Sequence, residues 1–201
     1  MLLADKIQDY FEQSMNNIIK YILLLMFFST MAHGANGSFS DKLEYIRVNY
    51  YESVEDESIV EKVEKYIDEN FPDSQSCPPV ITAYRAAIQS VKSKHAFWPV
   101  TKLDYFNESM ELFEKAIKTD PANLEIRFLR FTILHYVPSF LGHSSERSSD
   151  MVIILKELGK KDYSMIKAGI QKGIAEFLLR SGRLSAKHEK YLYTLYPDAR
   201  P

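Results

Sequence analysis

Leu43, Ile46, Tyr50 and Val54 recur at steps of three and four residues, and the long segments that follow keep that step. Such steps gather side chains on one face of a helix, whereas a half-buried strand needs strict alternation. Alternating Val, Ile and Thr bounded by turn residues does not occur in the sequence, so strands are not expected. The period predicts an all-α chain of antiparallel helical hairpins, about eight helices beyond a leader.

Turn and cap residues place the boundaries. Ser40 is the expected cap of the first helix, and Pro72 follows a second apolar face through Val63, Ile67 and Phe71. Pro78-Pro79 suits the first turn of a third helix, which "KHAFWPVTKL" interrupts before a fourth from Thr101 to Lys118. Asp120-Pro121 is the expected start of a fifth helix that ends near Pro138. Ser149-Asp150 is the expected cap of a sixth, and Lys161–Arg180 and Ala186–Leu195 complete the series.

The first 37 residues bear on compartment. In "MNNIIKYILLLMFFSTMAHGANG", residues 15–37, Lys20 precedes an apolar run from Tyr21 to Met31 and then small residues. That order is the layout of a secretory signal peptide, and the run is shorter than the roughly 20 residues a membrane-spanning helix needs. Asp5, Asp9 and Glu12 ahead of it do not suit a leader, so translation is expected to start at Met15. The expectation is a signal peptide over 1–34, a single helical domain over 35–201, and a secreted or periplasmic product with no stable membrane span.

The net charge of −2 gives no basic footprint, which argues against a nucleic-acid partner. Acids dominate residues 38–76 and bases dominate 156–201; solvated faces are the ordinary meaning of such runs. Cys77 is the single cysteine, so no intramolecular disulfide can form. The sequence has none of the GxSxG, HExxH, GxxxxGK or dinucleotide-glycine patterns. No catalytic residue, metal ligand or cofactor is expected.

"SMELFEKAIKTDP" places Ser109, Phe113, Ala116 and Pro121 at spacings of four, three and five. Those spacings resemble the second helix of a tetratricopeptide repeat. The small residue of the preceding helix, Ala87, stands farther back than that repeat has it, and no second copy is visible. With "AYRAA", "FEKAIKTDPANLEIRFLRF" and "VPSFLG", the chain also resembles a group of secreted proteins from Bacteroidetes-type bacteria. The resemblance implies a helical, repeat-like envelope protein and no activity.

The fifth helix raises the main question of function. Arg127 and Arg130 share one sector of a segment that is apolar nearly all round. A buried guanidinium keeps its proton and needs a carboxylate or carbonyl. Asp150 is the first candidate partner, followed by Glu111 and Glu114. The competing reading is a groove in which the pair grips a carboxylate or phosphate ligand. Gly169 and Gly173 suggest close helix packing. Trp98, with Phe97, reads as core filling or as an exposed anchor for a partner. The expected function is non-catalytic protein or peptide binding in the cell envelope. The alternative is a small anionic-ligand binder or enzyme using Arg127, Arg130 and a carboxylate; a structural subunit is the third class.

Overall fold

The computed structural model describes residues 37–73 and 76–200, and the expected leader lies outside them. Among the described residues there are eight α-helices, one short 3-10 turn and no strand. The chain groups into two compact units that meet in sequence at Pro121 and Ala122. Each unit is described by itself.

The first unit contains α1 (Phe39–Glu55), α2 (Ser58–Asn70), α3 (Pro79–His95) and α4 (Pro99–Thr119). α1 is capped by Ser38, not Ser40, because Ser38 and Asp41 form a reciprocal capping box. Asp56 accepts from the Ser58 amide and hydroxyl at 2.9 and 2.7 Å, which turns the chain directly from α1 into α2. Leu43, Ile46, Val63, Ile67, Ile81 and Ile88 fill the core between the first three helices.

α3 and α4 form the tightest hairpin. Ala83, Ala86 and Ala87 are fully buried, as is Ser109 opposite them. Small side chains on both sides allow the Ser109 hydroxyl to reach the Ala86 carbonyl at 2.7 Å and the Ser90 hydroxyl at 2.6 Å. Phe113 and Ala116, one and two turns on, are buried too.

The break between these helices is shorter than the sequence suggested: only Ala96, Phe97 and Trp98 separate them. Lys102 Nζ donates to the Ser93 and Lys94 carbonyls at 3.3 and 2.8 Å, and Ser93 Oγ donates to the Lys102 carbonyl at 2.8 Å. The end of α3 is thereby fastened to the first turn of α4.

The second unit contains α5 (Leu124–Tyr136), a 3-10 turn (Ser139–Leu141), α6 (Ser144–Lys160), α7 (Ala168–Arg180) and α8 (Ala186–Leu195). α5 starts at Leu124 instead of Pro121, because Asn123 Oδ1 accepts from the Glu125 and Ile126 amides, both at 3.1 Å. α6 begins at Ser144, so Asp150 is an interior residue and not a cap. Lys161, at φ 51°, ends α6 in the left-handed region, and α7 starts at Ala168, later than the expected Lys161. Phe177 of α7 meets the rings of Phe128, Phe131 and His135 of α5 edge-on, at 5.5, 6.1 and 5.6 Å between centroids.

Gly169 does not mark close packing. A side chain there would meet open space. Gly173 is buried.

Candidate functional site

The arginine pair lies inside the second unit. Arg127 and Arg130 are each 8% exposed and Asp150 is fully buried. Arg130 Nε donates to Asp150 Oδ2 at 2.7 Å and its Nη2 to Oδ1 at 2.8 Å, a two-pronged grip that matches the carboxylate geometry. Arg127 Nη1 reaches Oδ1 at 2.8 Å. The positions follow from helix spacing: residues 127 and 130 are three apart on α5, so both guanidinium groups reach one point on α6. The first-choice partner from sequence, Asp150, is the residue that joins them. Chemically, the cluster ties α5 to α6 through one carboxylate shared by two cations. A second anion would need access to guanidinium groups that are nearly closed to solvent.

Trp98 lies elsewhere, and the core-filling reading does not hold for it. Trp98 is 67% exposed and Phe97 82% exposed, with their rings edge to face at 5.0 Å. The local sequence accounts for this. Trp98 precedes Pro99, which holds it extended at φ −88° and ψ 134°, and a three-residue turn between two fastened helix ends has no interior in which to place large rings.

The exposed pair edges a cleft of about 490 Å³ in the first unit, within the usual range for a binding pocket. One wall is α2 and its N-cap, with Glu57, Val60, Glu61 and Glu64. The other comes from the end of α3 and the start of α4, with Lys92, Ala96, Thr101 and Tyr105. Lys92 Nζ is 3.0 Å from Glu64 Oε1 and 5.0 Å from the centroid of the Tyr105 ring. An ammonium group is thus already held between a carboxylate and an aromatic face. Sequence reading singled out Trp98 but missed the cleft, because Glu57, Glu61 and Glu64 looked like an ordinary solvated helix face. Their spacing of four and three was the available signal.

His135 is a third unusual group. Arg183 Nε can only donate, and it lies 3.1 Å from His135 Nδ1, so Nδ1 accepts and the ring is neutral. Burial, followed by the nearby charges of Arg183 and Arg147, lowers its pKa from 6.5 to about 4. Arg183 Nη2 also donates to the His135 carbonyl at 3.1 Å, so the histidine serves to anchor the segment after α7. Among the described residues, no group of three or more His, Cys, Asp and Glu side chains is placed to hold a metal ion.

No family model, curated protein or solved structure matches this chain.

Proposed function

We propose that this chain is a non-catalytic helical module that binds a protein or peptide in the cell envelope, with the cleft edged by Phe97 and Trp98 as its contact surface. The single observation that carries the reading is the adjoining exposure of these two large rings at the mouth of a cleft. Val100 and Leu103, 72% and 45% exposed, extend the apolar surface along the start of α4. Exposed apolar side chains scattered singly are ordinary, whereas a contiguous group beside a concavity is the usual make-up of a contact site. Covering such surface stabilises a complex by roughly 25 cal/mol for each Å² removed from water. The envelope location rests on the leader-like run at residues 15–37, and no helix among the described residues is long and apolar enough to cross a membrane.

The test is cross-linking in the producing cell, followed by capture of the tagged protein. The wild-type chain is expected to recover one envelope protein at near-stoichiometric yield. The Phe97→Ala/Trp98→Ala double variant is expected to lose it with an unchanged melting temperature. Equal recovery by both proteins, or no partner for either, would overturn the proposal.

A further inference from the structure

We infer that the cleft recognises a cationic side chain, an arginine or lysine flanked by an apolar residue in a peptide segment of the partner. The inference rests on the proposed function and names the chemistry of its ligand.

Charge along the walls is unbalanced. Glu57, Glu61 and Glu64 all line the cleft, while Lys92 is the one basic residue that does so. Spacings of four and three, with Glu57 as the N-cap of α2 in helical backbone geometry, place the three carboxylates along one side of that helix. Lys92 is engaged by Glu64, and among the described residues Glu57 and Glu61 form no ion pair. Both are exposed. Like charges one turn apart repel, and a cation placed between them relieves that repulsion.

The aromatic surface supplies the second half of the match. Lys92, between Glu64 and Tyr105, forms an internal example of the arrangement: carboxylate on one side, ring on the other. Glu57 and Glu61 share the cleft with Trp98, the same two components, and the one cation there, Lys92, is held by Glu64. Indole is the best of the aromatic faces for a cation, and a guanidinium group can also stack on it. Phe97, in the same cleft and 82% exposed, gives an apolar neighbour in the partner a surface to cover. An anionic segment would face two carboxylates that form no ion pair among the described residues, so the cleft selects by sign as well as by shape.

The test is selection from a phage-displayed random peptide library on the tagged chain, with winners retested on Trp98→Ala and on Glu57→Gln/Glu61→Gln. All three substituted positions are exposed, and melting curves will confirm that the folds are retained. The expected winners carry arginine or lysine beside an apolar residue. Their binding is expected to fall about tenfold in the double glutamine variant, and to weaken as salt is raised. Winners that need Trp98 but show no basic enrichment and no loss in the glutamine variant would overturn the cation inference while leaving the contact surface standing. A failure to select any Trp98-dependent peptide would overturn both.

Discussion

Arg130 holds Asp150 through two parallel hydrogen bonds of 2.7 and 2.8 Å, at a point where the carboxylate is fully closed to solvent. Arg127 adds a third bond to the same group. Taking charges out of water is costly, and the pairing offsets that cost only while the geometry is complete. Asp150→Asn would remove the charge of the carboxylate that Arg127 and Arg130 share, and is expected to destabilise the protein by about 3–5 kcal/mol. Arg130→Lys loses the fork while keeping the charge, and should cost less. Replacing Arg127, Arg130 and Asp150 together by apolar residues of similar size should recover most of the loss. Urea unfolding of the three proteins gives the ranking. If Asp150→Asn melts like wild type, the cluster is not a structural device, and a site for a small anion at these arginines regains its standing.

Stability should depend on pH through His135. Its folded pKa, lowered to about 4, lies below the ordinary 6.5, so between these values the unfolded chain binds more protons than the native one. The contribution is therefore fully present above about pH 6.5 and is lost as pH falls toward 4. Protonation would also end the acceptance of Arg183 Nε by His135 Nδ1. His135→Gln, which retains an acceptor, is expected to flatten the fall in melting temperature over that window. An identical pH profile for the variant would contradict this assignment.

Close packing of α3 on α4 makes Ser109 sensitive to size. Ser109→Ala removes bonds to the Ala86 carbonyl and the Ser90 hydroxyl and is expected to cost about 1 kcal/mol. Ser109→Leu must also force the helices apart, and should cost about 3 kcal/mol or more. Comparing the two by thermal unfolding separates the hydrogen bond from the contact distance.

Gln171 is almost fully buried and ties three segments together. Its Nε2 donates to the Asp162 and Ile166 carbonyls, and its Oε1 accepts from the Tyr196 hydroxyl at 3.2 Å. Burial, with smaller effects of Tyr163 and Tyr191, lifts the Tyr196 pKa to about 12, so the phenol remains a donor at neutral pH. Gln171→Leu strands these groups and is expected to cost about 2 kcal/mol. Faster amide exchange confined to residues 161–167 and 192–200 would locate the effect.

Helical periodicity was legible throughout. α8 has the expected bounds, Ala186–Leu195, with Ser185 as its cap, and the partnership of the arginines with Asp150 could be inferred from the need of a buried guanidinium group. Boundaries that depend on competing side chains were not legible. Ser38 and Ser40 are both plausible caps, and only the reciprocal bond from Asp41 decides for Ser38. Asp150 has the residue type of a cap but lies within α6, where Arg127 and Arg130 engage its carboxylate. The cleft was hidden for a related reason. Its acidic wall on α2 and its aromatic edge at Phe97 and Trp98 are far apart in sequence, and only tertiary packing brings them together.

Trp98 is the single tryptophan of the chain, so its fluorescence reports on the cleft directly. The decisive measurement is the emission spectrum during titration with a selected cationic peptide. A shift to shorter wavelength that saturates with binding, and is lost in Glu57→Gln/Glu61→Gln at the same peptide concentration, is the predicted result. Saturable binding measured independently, with the emission unchanged, would place the contact elsewhere and contradict the account.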